Sequence, residues 1–204
     1  MIQRLLPHIQ KIKLDKCIHF LEPGDVVFSC NRKISLMEQY GVFVINNLIG
    51  NVFFHLILIL RDQRFVHFVS ESYRPFYDPY FPDHPDTLVR AGTIQDFFQD
   101  SAFRDPVYSV YKKKNGKDFY FEDFLDHDFV KDKLYRLEYL GFRNFLTTKK
   151  IGITCNSFLP FLLEELLPKT QLNINLYYNP KTIIDYVLPY LHYYHAGIYQ
   201  VIDD

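Results

Sequence analysis

Residues 53–71 read FFHLILILRDQRFVHFVSE. Two apolar runs, Phe53 to Leu60 and Phe65 to Glu71, flank Arg61-Asp62-Gln63-Arg64, a polar connector of hairpin length, so the runs are expected to pair as antiparallel strands. Side chains alternate across a strand, which puts Phe65, His67, Val69 and Glu71 on one face of the second run and Val66, Phe68 and Ser70 on the other. The hairpin thus carries one histidine, His55, on its first strand and another, His67, on its second. Upstream, Val42 to Leu60 is uncharged and roughly long enough to cross a bilayer. Asn46, Asn47, Asn51 and His55 interrupt it and Gly50-Asn51 reads as a turn, so no transmembrane span is expected.

Working outward, residues 2–14 have the spacing of a short amphipathic helix, and Leu21-Glu22-Pro23-Gly24-Asp25 forms a turn before a strand at Val26 to Ser29. Ser35 caps a helix running to about Leu48, with Glu38 completing a capping box. Residues 73–86, YRPFYDPYFPDHPD, hold too much proline for helix or strand and read as an ordered loop or a lid. Thr93 to Phe98 reads as a helical turn, Val107 to Tyr111 as a strand, and Lys112 to Lys117, around Asn115-Gly116, as a solvated basic turn. A helix is expected from Asp128 to about Phe145, with Leu134, Leu137, Tyr139, Leu140 and Phe142 as its apolar stripe. Another runs from Cys155 to Leu167, where Pro168 stops it, and Pro180 opens a short helix over KTIIDYVLPYL before a Tyr-rich tail. No internal repeat or linker divides the chain, and 204 residues fit one domain, 1–204.

Composition narrows the function classes. Lys+Arg 23 against Asp+Glu 24 leaves a formal charge of -1, which gives nucleic acid or anionic lipid no general attraction. With 20 Phe, 16 Tyr, no Trp and only 8 Gly, aromatic bulk dominates packing and also suits protein interfaces. Cys17, Cys30 and Cys155 are too few and scattered for a disulfide framework, and none stands at the spacing of a zinc site. The N-terminus lacks the apolar core and cleavage site of a secretory signal. Cytoplasm or another reducing compartment is expected, with no metal and no cofactor.

One constellation carries chemistry. Cys155 stands at a helix start behind Thr154, where free backbone N–H groups and the helix dipole lower a thiol pKa and can hold an oxyanion. The base must come from elsewhere in the fold, and His55 is one candidate among eight histidines. His67 or Glu71 on the neighbouring strand then orients the imidazole. The bland readings are an inert core cysteine and a satisfied core histidine, and Cys17 and Cys30 are read as structural.

The order GDVVFS at 24–29, a helix, FFHLILIL at 53–60, FVHFVSE at 65–71 and ITCNSFLPFLLEEL at 153–166 resembles the circularly permuted NlpC/P60 superfamily over about residues 21–190. In that group a Gly-Asp strand opens the domain, a His-Val-Gly-Ile strand carries the base and a Cys-Ser-Glu helix the nucleophile; His before Cys marks the permutation. The resemblance implies an α+β, papain-like fold in permuted order: an antiparallel sheet packed with helices and a Cys-bearing helix in the C-terminal half. It further implies a thiol hydrolase or acyltransferase acting on an amide, peptide or lipid ester, with Cys155 as nucleophile, His55 as base and His67 or Glu71 as third member. Poxviruses and other large DNA viruses encode such proteins. Ile57 replaces a small residue two places after the histidine, Asn156-Ser157 replaces Ser-Glu, and Pro160 falls a turn into the nucleophile helix. These departures motivate the alternative: a catalytically inactive structural or interaction protein, such as a virion component, that meets other chains through aromatic surface.

Overall fold

Strand β3 (His55–Leu60) is buried from Leu56 to Leu60, on both of its faces, which is why it reads in sequence as an unbroken apolar run. Burying each Leu or Ile side chain there contributes about 2 kcal/mol. A computed structural model describes residues 8–31, 55–68, 89–99, 106–114, 120–125, 138–139, 152–153, 159 and 180–202. In these residues the chain has a mixed α/β fold with a seven-stranded sheet and few helices. The strands are β1 (Ile9–Lys13), β2 (Val26–Asn31), β3, β4 (Arg64–Phe68), β5 (Val89–Thr93), β6 (Pro106–Lys113) and β9 (Tyr193–Ile202), in the order β1-β9-β6-β2-β3-β4-β5. All neighbours are antiparallel except β1 and β9, which run parallel. Two short strands, β7 (Glu138–Tyr139) and β8 (Gly152–Ile153), form a separate parallel pair.

The expected hairpin is present: Ile57 pairs His67 and Leu60 pairs Arg64. Its turn puts Asp62 and Gln63 at φ 56° and 54°, while the Arg64 N–H donates to the Arg61 carbonyl at 3.2 Å. Pairing places His55, Ile57, Ile59, Phe65 and His67 on one face, with Val27 of β2, Tyr108 and Val110 of β6 and Tyr199 of β9. Helices α1 (Leu14–Phe20) and α2 (Ile94–Gln99) cover this face, contributing Cys17 from α1, Leu21 just beyond it, and Ile94 and Phe97 from α2 to one hydrophobic cluster.

Three expectations are corrected. Residues 9–13 form a strand, not a helix: Ile9 and Ile12 are spaced like a helical stripe, but their backbone pairs with Ile198–Ile202, and the helix starts only at Leu14. Glu138–Tyr139, placed inside a long helix by its apolar spacing, pairs in parallel with Gly152–Ile153. Lys112 and Lys113 belong to β6 and not to a solvated turn. β5 and β9 were not anticipated; both take their backbone partners from distant segments. The remainder of that helix and the Ser35–Leu48 helix lie outside the described residues, as does the loop 73–86.

The helix expected after Pro180 is present, in three pieces. Helix α4 (Pro180–Thr182) leads into a π-helical stretch (Ile183–Val187) and then α5 (Leu188–Tyr190). Pro189 has no N–H for the Asp185 carbonyl, and the Leu188 N–H reaches back to Ile183, so the wider π pattern is adopted. A further short helix, α3 (Glu122–Leu125), places the buried Glu122 side chain against the hairpin turn, where it accepts the Arg61 N–H. Among the described residues no helix is long and apolar enough to cross a membrane.

Candidate functional site

The hairpin register decides which polar groups meet. His55 sits opposite Ser29 of β2, and His67, two residues along the partner strand, lies diagonally across from it on the same face. The rings stand edge to face, with centroids 4.9 Å apart, and His55 Nε2 lies 2.9 Å from His67 Nδ1, the distance of a hydrogen bond that shares one proton. Cys155 and Glu71 lie outside the described residues. Leu159, in the expected nucleophile helix, is helical and fully buried.

The surroundings favour a neutral His55. His67 is fully buried, with Phe65 at 5.1 Å and Phe97 at 5.9 Å between ring centroids, both near perpendicular. Burial pushes His55 down to about 4, because the imidazolium loses more hydration than the protein returns. A neutral imidazole at physiological pH has a lone pair to accept a proton, the state a general base needs.

A second polar group lies along the same face at the other end of β2. The Gly24-Asp25 turn is clamped to β3 by Gly24 N–H to the Ile59 carbonyl at 2.8 Å and Ile59 N–H to the Asp25 carbonyl at 2.9 Å. The Asp25 carboxylate accepts the Glu22 N–H at 2.9 Å and pairs with Lys112 Nζ at 3.1 Å. Lys112 also donates to the Phe20 carbonyl at 2.7 Å and Glu22 Oε2 at 3.0 Å, and the Tyr193 hydroxyl donates to the Gly24 carbonyl at 2.6 Å. Burial raises the Asp25 carboxyl to about 6 against the pull of the Glu22 N–H and the Lys112 ammonium. Burial also opposes the Lys112 charge, but the Asp25 and Glu22 carboxylates outweigh it and hold Lys112 above its ordinary value. This buried clamp fixes the Gly-Asp turn to the end of α1, and its lysine was hidden in sequence by the lysine cluster that follows.

Burial pushes the Cys17 and Cys30 thiols up to about 12, which makes them poor nucleophiles. Among the described residues no group of three or more His, Cys, Asp or Glu is placed to hold a metal ion. No protein-family model, curated protein or solved structure matches the chain.

Proposed function

We propose that the chain is a cysteine hydrolase or acyltransferase of the circularly permuted NlpC/P60 type, acting on an amide, peptide or ester bond through an acyl-enzyme on Cys155. The observation that carries this reading is the 2.9 Å contact of His55 Nε2 with His67 Nδ1, on strands that follow the Gly24-Asp25 turn in the expected order. His55 is the base and His67 orients it; Glu71, expected on the same face of its strand, is the alternative orienting group. With Nε2 engaged by His67, proton exchange with the thiol uses His55 Nδ1. The thiolate attacks the carbonyl carbon, the C–S bond forms, and the proton on Nδ1 passes to the leaving group. Water or another acceptor then releases the acyl group. A thiol kept reduced suits the cytoplasm or a virion assembled there.

The test is alkylation by iodoacetamide across pH 5–9, with sites mapped by mass spectrometry, in the native chain and in His55→Ala. Cys155 is expected to react at least about tenfold faster than a free thiol at mildly acidic pH, with the advantage lost in His55→Ala. Cys17 and Cys30 are expected to stay unmodified until unfolding. A Cys155 that titrates and reacts like a free thiol sinks the proposal. One observation favours the second reading, an inactive interaction or virion protein: Tyr186, Tyr190 and Tyr194 are 67%, 49% and 43% exposed. Its signature is an unreactive Cys155 in a folded chain whose self-association or partner binding is lost in Tyr186→Ala/Tyr190→Ala.

A further inference from the structure

Phe97 is the hub of an aromatic cluster. From α2 its ring meets His67 at 5.9 Å, Phe65 at 4.9 Å, Phe98 at 5.6 Å and Tyr108 at 6.0 Å between centroids. It thus joins the helix to β4 and β6 while forming part of the wall around His67. The histidine pair has two neutral arrangements. If His55 Nε2 carries the bridging proton, His55 Nδ1 holds a lone pair and is a base. If His67 Nδ1 carries it, neutral His55 must keep its own proton on Nδ1 and cannot accept another. Both arrangements are neutral, and a dry apolar wall at His67 disfavours adding a further proton to either.

We infer that Phe97 is a positioning residue for the His55–His67 pair, excluding water from the His67 side so that the pair keeps its contact and resists taking up a proton. The low His55 pKa agrees with such dryness. On this face the titratable groups facing the pair are few among the described residues: Cys17 from α1, Tyr108 and Tyr199 across the sheet, and Asp25 with Lys112 at the far end. Arg90 stands opposite His67 in register on β5. The last step, use of Nδ1 against a thiol, rests on the proposed thiol chemistry; the arrangement of the pair does not.

The experiment follows both imidazoles by 15N NMR from pH 8 to 4 in the native chain, Phe97→Ala, Phe97→Leu and Phe98→Ala. Phe98 shares the helix and packs on Tyr108 at 4.8 Å, so it controls for loss of aromatic packing alone. In Phe97→Ala the His55 midpoint is expected to rise by about one unit or more as water reaches the pair, with a smaller rise in Phe97→Leu and none in Phe98→Ala. If Phe97→Ala does not fold, Phe97→Leu decides. An unmoved midpoint in the folded Phe97 variants, or an equal shift in Phe98→Ala, overturns the role. The iodoacetamide reaction reads separately: a Phe97-dependent titration with an inert Cys155 keeps this inference and removes the thiol enzyme, and the reverse result does the opposite.

Discussion

At the scale of single residues, pH separates His55 from its surroundings. Its folded value near 4 lies below the unfolded 6.5, so the unfolded chain binds the proton more readily. The stability tied to neutral His55 is full above about pH 6.5 and is lost as pH falls through about 4, some 3 kcal/mol in all. Urea midpoints of the native chain should therefore fall relative to His55→Asn across that window; parallel curves would contradict the burial of this ring. Asp25 has the opposite sign, its raised value giving a contribution that is full below about 3.8 and is lost as pH rises through about 6. Replacing Lys112 by Met leaves Asp25 buried without its cation, so a loss of about 3 kcal/mol is expected at pH 7, shrinking at pH 5 where Asp25 takes a proton. Asp25→Asn combined with Lys112→Met should recover part of it, read by the same urea midpoints. His55 and His67 were legible because period-two alternation and a short connector fix a hairpin face. Lys112 was not, since Lys113, Lys114 and Lys117 make its surroundings look solvated, and only the fold brings Asp25 and Glu22 to it.

Among the elements, the strands legible in sequence are β2, β3, β4 and β6, whose apolar runs are buried inside the sheet and away from its edges. The edge strand β1 misled because only Ile9 and Ile12 are half-buried, three residues apart. β9 hid behind a Tyr-rich composition and a bulge: Val110 faces Gly197 while Tyr111 faces His195, leaving Ala196 as the extra residue. The bulge turns His195 to the opposite face, where its Nε2 meets Ser109 Oγ at 3.1 Å. At Gly197, φ is 147° and an added Cβ would lie 2.8 Å from the Tyr199 hydroxyl, so Gly197→Ala should cost about 2 kcal/mol or more, measured by thermal unfolding. The β3–β4 turn predicts a gain instead. Gln63 holds a left-handed φ of 54° with an exposed side chain, and Gln63→Gly should stabilise the chain by about 1 kcal/mol without changing the Leu60–Arg64 register. Unchanged or lower stability would mean that the Gln63 side chain contributes more than its backbone conformation costs.

For the whole molecule, no segment of the sequence announces that β9 lies between β1 and β6, because the signal is an agreement of registers across nearly the full chain length. Shortening the chain to residues 1–192 should therefore abolish the dispersed amide spectrum of the folded protein, even though every catalytic candidate is retained; a persisting spectrum would show that the remaining strands suffice. The same placement shapes how the protein is made. β9 leaves the ribosome after every other described strand, so until then β1 has no partner and β6 presents an open edge. Synthesis thus passes through a stage in which most of the sheet exists but its seam is unfilled, and a chaperone that shields the free edge of β6 would matter most until β9 emerges.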